Sequence, residues 1–181
     1  ILGSDELMVS EIDESDQTQE LVRPSVAVIT NIEPDHLDQY VDLSGLESSF
    51  ERFMDNLRDR WVVISGEDPS LNRVTRRVNP PLLLTYGFGA EFDCSGSNLE
   101  IKGFQSRFKV ALHGQDLGWV ELNIPGLHNA SNALAALAAT ARIIVILSVP
   151  ERPGTGPHFT LLMSVVLQSV LFAWSGATKS T

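Results

Sequence analysis

The run Ser25-Val-Ala-Val-Ile-Thr30 is apolar and largely β-branched at every interior position, and it gives way at once to the polar stretch Asn31 to Asp38. A strand with one wet face alternates apolar and polar side chains. A run without alternation belongs to a strand covered on both faces, as in a parallel sheet with helices on either side. Leu7–Ser10 repeats the arrangement, running straight into Glu11, Asp13, Glu14 and Asp16. Glu14 to Pro24 leaves room only for a short crossover between these two strands, which are expected to lie next to each other. In open α/β sheets ligands gather outside the carboxyl ends of strands, so two acidic strand ends would meet there.

The rest of the first hundred residues keeps a β-α-β-α-β rhythm. Leu43–Arg60 places Leu46, Phe50, Phe53, Met54 and Leu57 at three- and four-residue steps, the spacing of a helix face. A strand Trp61–Ser65 leads into the turn residues Gly66-Glu-Asp-Pro69, and Pro69–Val78 is expected to be a short helix before a strand at Leu82–Tyr86. From Glu91 to Ile124 three alternating segments predict a small antiparallel sheet, with turns at Gly103 and over His113–Gly118. Pro125-Gly126 ends it, and the alanine-rich Asn129–Arg142 predicts a helix. Beyond Arg142 the chain is apolar, with a Pro/Gly-rich stretch at 150–157 and no charge between Arg152 and Lys179. Gln168 and scattered Ser and Thr dilute that stretch, which favours a packed apolar tail, or one with no settled structure, over a bilayer span.

Charge sharpens the picture. The formal net charge of −10 argues against an unaided grip on nucleic acid or an anionic membrane. Residues 1–60 hold 15 acidic and 4 basic side chains, so the acidity is concentrated around the two strand ends. Cys94 is the one cysteine and cannot form an internal disulfide, which fits a reducing compartment. A cluster of carboxylates reads either as a solvated surface or as a site for a hard cation. Oxygen ligands suit Mg²⁺, which takes few protein groups at about 2.0–2.1 Å and keeps waters or phosphate oxygens. His36 alone fits a hydrogen-bonded imidazole in a polar turn equally well. In Pro125-Gly-Leu-His-Asn129-Ala-Ser-Asn132, the two asparagines stand three apart and share a helix face. An Asn amide matches the donor and acceptor of an adenine edge, while the competing reading makes one of them the helix N-cap.

Taken in order, Glu11-x-Asp-Glu-Ser-Asp16, Thr30-Asn-Ile-Glu-x-Asp-His-Leu-Asp38 with Tyr40, Thr85-Tyr-Gly87 and Pro125-Gly-x-His-Asn-x-x-Asn132-Ala-x-x-Ala136 resemble the Mur ligase family, in its L-alanine-adding branch. The resemblance spans residues 1–142 and implies the α/β central domain of that family: a mostly parallel sheet of the phosphate-loop NTPase type beside a small antiparallel one. It implies ATP and Mg²⁺ as cofactors. The implied reaction activates the carboxylate of UDP-N-acetylmuramate as an acyl phosphate, which the amine of L-alanine attacks, a step of peptidoglycan precursor synthesis. Glu11 and His36 match the family's magnesium positions. His128, Asn129 and Asn132 match positions against the nucleotide, while Asp13, Glu14, Asp16, Asn31, Asp35 and Asp38 are candidates for orienting that shell. The implied setting is cytoplasmic, or a plastid in a photosynthetic eukaryote.

The chain also departs from the family pattern. The glycine-rich phosphate loop with Gly-Lys-Thr/Ser is expected upstream of Glu11, and no such sequence occurs in the 181 residues. Gln17-Thr-Gln follows Asp16 in place of the family's usual small residue, Ser and Phe. The expectation is therefore an incomplete central domain over 1–142, lacking its first strand and phosphate loop, and an apolar tail over 143–181 foreign to the family. Such a chain is expected to be inactive alone. Two alternatives stand beside it: a non-catalytic remnant that binds metal or nucleotide weakly, and an interaction module.

Overall fold

The structure, a computed structural model, describes residues 7–12, 21–33, 43–148 and 159–164. Its elements in chain order are β1 (Leu7–Glu11), β2 (Val26–Ile29), α1 (Leu43–Asp55), β3 (Trp61–Ser65), α2 (Pro69–Val78), β4 (Leu83–Phe88), β5 (Cys94–Lys102), β6 (Gln105–Leu112), β7 (Gln115–Leu122), α3 (Leu127–Ser148) and β8 (Phe159–Ser164). The eight strands form one sheet in the order β1-β8-β2-β3-β4-β5-β6-β7. Strands β1 to β5 in that order, β8 included, pair in parallel. The expected antiparallel sheet is the meander β5-β6-β7, joined to the parallel part through β5.

Helices cover both faces, which accounts for the unalternating β2 run. Val26 and Val28 face α3 with Val63, Leu84, Tyr86 and Phe108. Ala27 and Ile29 face α1 and α2, among Phe50, Phe53, Met54, Leu71 and Val74. All four β2 residues are buried, one pair to each layer.

Local chemistry sets the element ends. Asp68 caps α2, its Oδ1 accepting from the Leu71 amide at 2.7 Å, with Pro69 in the first turn, where its missing N–H costs nothing. Asn79 closes the helix with φ 50° and an N–H to the Thr75 carbonyl. Glu47, on α1, is buried and accepts from Arg73 and Arg77 of α2, each at 2.6 Å, clamping the two helices together.

The turn expected over His113–Gly118 is shorter. His113 and Gly114, both at positive φ, make a two-residue hairpin loop. Strand β7 begins at Gln115, and Leu117 is an extra residue at a bulge where Gly118 adopts φ 98°. The α1 helix ends at Asp55, short of the expected Arg60, and the residues after it close in turns.

α3 runs antiparallel to the parallel strands. Its first turn is tied to β6 near Ser106, which pairs with Ile101 late in β5 and so lies toward the carboxyl edge. Arg142 lies at the other edge, over the Trp61 ring at 4.3 Å and donating to His113 Nε2 at 2.6 Å. The helix continues past Arg142 to Ser148. The close approach of α3 to the sheet depends on Ala130, Ala133, Ala135, Ala138 and Ala139, all buried, and on Gly96, where a Cβ would meet Leu134 Cδ1 at 2.8 Å.

Candidate functional site at the carboxyl edge

Glu11 closes β1 with its side chain exposed. Thr30 and Asn31 leave the end of β2, Thr30 Oγ1 donating to Asn31 Oδ1 at 2.8 Å, and Ile32, 4% exposed, anchors the chain beneath them. Both strand ends therefore open on the carboxyl edge, where the sequence placed them. They are not adjacent. β8 lies between, with Glu11 level with Met163 and Met163 level with Val28. At about 4.8 Å per strand, Glu11 and Val28 stand about 10 Å apart at their Cα atoms. The expected adjacency fails because a crossover long enough to return in parallel can leave a strand's width open, and a distant segment fills it.

His36, Asp13, Glu14, Asp16, Asp35 and Asp38 lie outside the described residues. Among the described residues, no three His, Cys, Asp or Glu side chains group as a metal set. The donor chemistry that is present fits a hard ion: the Glu11 carboxylate and the Asn31 amide oxygen are oxygen ligands at strand ends open to solvent.

The second half of the site is the start of α3. Helix α3 begins at Leu127, so neither Asn129 nor Asn132 is its N-cap, and the capping alternative falls. Asn129 Nδ2 donates to the Pro125 carbonyl at 2.7 Å, which fixes its amide over the turn. Asn132, one turn further along the helix, is only 5% exposed. His128 is exposed.

Ser106, which sequence reasoning passed over, holds this turn. It is 1% exposed; its Oγ donates to the Ile124 carbonyl at 2.9 Å and accepts from the Gly126 amide at 3.0 Å. Gly126, at φ 115°, allows the chain to swing from β7 into α3. The residues between the two halves are structural. Thr85 gives both its amide (2.8 Å) and its hydroxyl (2.9 Å) to Asp93 Oδ2. Tyr86 is buried, and burial reinforced by the Glu67 and Asp68 carboxylates raises its phenol far above the ordinary range, against a hydrogen bond with Ser65. Burial, aided by Asp93, pushes the Cys94 thiol up to about 11, which leaves it unreactive.

The two halves do not close into one compact pocket. β1 is the outermost strand and β6 the second from the other side, so Glu11 and the start of α3 are about six strand spacings apart, on the order of 29 Å along the sheet. They share an edge and face the same side of the molecule.

A helix-covered, mostly parallel sheet that gathers acid, amide and a helix start along its carboxyl edge defines the α/β class of ligand-binding domains. Residues 5–140 match the family model described as the Mur ligase middle domain. The chain belongs to that family. It is 37% identical over 143 residues to the UDP-N-acetylmuramate–L-alanine ligase of Syntrophobacter fumaroxidans, covering 78% of this chain and 30% of that protein. Against the ligase of the same name from Lawsonia intracellularis it is 40% identical, covering 78% of this chain and 31% of the relative. The crystal structure of the UDP-N-acetylmuramate-alanine ligase MurC from Thermotoga maritima superposes with a TM-score of 0.60 at 26% identity, over 75% of this chain and 30% of that one. MurF from Acinetobacter baumannii shares the fold, at a TM-score of 0.60 and 21% identity over 77% and 29% of the two chains. The chain thus spans about 30% of the length of the curated relatives it matches. No helix among the described residues is long and apolar enough to cross a membrane.

Proposed function

We propose that this chain is the nucleotide-handling middle segment of an ATP-dependent ligase that joins L-alanine to the carboxylate of UDP-N-acetylmuramate through an acyl phosphate, in cytoplasmic peptidoglycan precursor synthesis. The observation that carries the reading is the placement of Glu11, Asn31 and the Asn129–Asn132 turn on one carboxyl edge, in a chain 37–40% identical to L-alanine ligases over that region.

Phosphoryl transfer depends on positioning and charge neutralisation more than on covalent chemistry by the protein. Magnesium, when bound, would supply neutralisation of the phosphate oxygens, and Glu11 with His36 would hold it. Asn31, whose amide oxygen accepts from Thr30 Oγ1, would help orient the ion's shell from the end of β2. His128, Asn129 and Asn132 are assigned to the base of the nucleotide by the family match alone: Asn129 is bound to the Pro125 carbonyl, and the turn stands about six strand spacings from Glu11, farther than one nucleotide reaches between base and γ-phosphate.

Without a Gly-Lys-Thr/Ser loop the chain lacks the backbone amides and lysine that cradle a triphosphate. It binds Mg-ATP weakly and does not turn over by itself. Calorimetry on the full chain tests this. Heat of ATP binding should require Mg²⁺ and vanish in Glu11→Ala and His36→Ala, with no phosphate released from ATP, UDP-N-acetylmuramate and L-alanine. Binding indifferent to both substitutions would refute the site, and phosphate release above blank would refute the inactivity.

A further inference from the structure

The position of Glu11 depends on a segment the resemblance does not cover. Among the described residues, β1 has one strand partner, β8, along the register Leu7↔Phe159 to Glu11↔Met163. Met8 and Val9 add little hold: each is 57% exposed, and neither joins a core cluster. Ile12, just past the strand, packs against the core. β8 in turn is secured by β2, through Val26↔Leu161 to Ile29↔Ser164. The ladder of β8 is what ties Glu11 to the buried sheet.

We propose that Phe159–Ser164 is a positioning strand, inserted by this chain into its own sheet, that sets Glu11 at the carboxyl edge and makes the end of β8 a third strand end of the site, between Glu11 and Ile29. The geometry favours insertion in cis. α3 descends to the amino edge, where Arg142 meets Trp61 at the start of β3, and parallel β8 must begin at that same edge. Ten residues separate Ser148 from Phe159, and a chain of that length reaches up to about 34 Å, enough for roughly 10 Å across the two strand spacings from β3 to β8 plus about 9 Å for the six helical residues beyond Arg142. The Pro and Gly residues at 150, 153, 154, 156 and 157 suit a connection that belongs to neither element. The structural part of this inference is independent of what the edge binds; its consequence for ion binding rests on the function proposed above.

Two measurements on the full chain test it. Cysteines at the paired positions, Met8→Cys with Thr160→Cys, should form a disulfide within one chain under mild oxidation, Cys94 being buried and unreactive. Leu162→Pro removes a donor that a strand paired on both sides cannot spare. Hydrogen exchange should then show loss of protection at residues 7–11 while residues 94–122 keep theirs. No cross-link in the folded chain, or unchanged protection at 7–11, would overturn the proposal. A cross-link formed only between two chains would overturn insertion in cis and assign the slot to a second copy. If Leu162→Pro unfolds the whole chain, the cross-link alone decides. Both measurements read strand position without any ion. Glu11→Ala should leave them unchanged while removing Mg²⁺-dependent binding, so failure of the ion site and failure of the strand assignment give different results.

Discussion

Ser106→Ala is the sharpest probe of how the sheet holds the start of α3. The substitution removes one hydroxyl from a site 1% exposed and leaves two groups without their partner, the Ile124 carbonyl and the Gly126 amide. Each buried polar group left unsatisfied costs about 1–3 kcal/mol, and the void left by one oxygen adds little. Relaxation of the turn toward water recovers part of the loss, so the net destabilisation is expected at about 2 kcal/mol. For a domain of this size that lowers Tm by about 4–8 °C. Thermal unfolding followed by circular dichroism at neutral pH reads the shift. Because the turn aims Asn129 and Asn132, Mg-ATP binding should weaken by more than the loss of folded protein explains, measured well below Tm. A change in Tm under about 1 °C would refute the assignment of Ser106 as the clamp. A full loss in Tm with unaltered nucleotide affinity would detach the clamp from the site.

Two further outcomes follow from the packing. Burial opposes ionisation of Glu47, but hydrogen bonds from Arg77 and Arg73 overcome it and hold its carboxyl below the usual 4.5. A lowered folded value means that the stabilisation is complete above the unfolded value and disappears as pH falls through the folded one. Glu47→Gln should therefore cost about 1–3 kcal/mol at pH 7, with the difference from the parent shrinking below about pH 4, as urea titrations across pH would show; a constant difference would contradict the clamp. Gly96→Ala places a methyl 2.7 Å from Phe88 Cε1 and 2.8 Å from Leu134 Cδ1. It should cost about 1–3 kcal/mol and be partly rescued by Leu134→Ala, and a simple sum of the two costs would show that α3 does not rest on β5 there.

Local chemistry was legible in the residues. β2 announced two covered faces through its missing alternation, and α2 through Asp68, Pro69 and an apolar stripe. Glu11 and Asn31 were legible as strand-end residues because each follows directly on an apolar run. What the sequence hid is non-local. Strand order is written in no local pattern, so β1 and β2 read as neighbours. Phe159–Ser164 sits in an apolar stretch where periodicity does not separate strand from helix. Ser106 was silent for another reason: alternation with Phe108 and Val110 puts it on the inward face, but nothing in the strand's pattern shows that its hydroxyl will meet the chain returning at Gly126. Gly118 read as a turn because a bulge glycine and a turn glycine carry the same signal.

The two ends of the carboxyl edge are therefore held by different physics. The α3 end rests on buried alanines, on Ser106 and, at the far end of the helix, on Arg142 over Trp61, so it moves only when the core on that face opens. The Glu11 end rests on strand hydrogen bonds to a segment distant in sequence, with Met8 and Val9 exposed on β1. Local opening free energies scale with buried apolar contact, so β1 should exchange its amides well before β4 or β5. A ligand held at Glu11 stabilises that weaker end most. Nucleotide with Mg²⁺ should raise protection at residues 7–11 far more than at 127–140, and equal gains at both would mean that binding does not centre on Glu11.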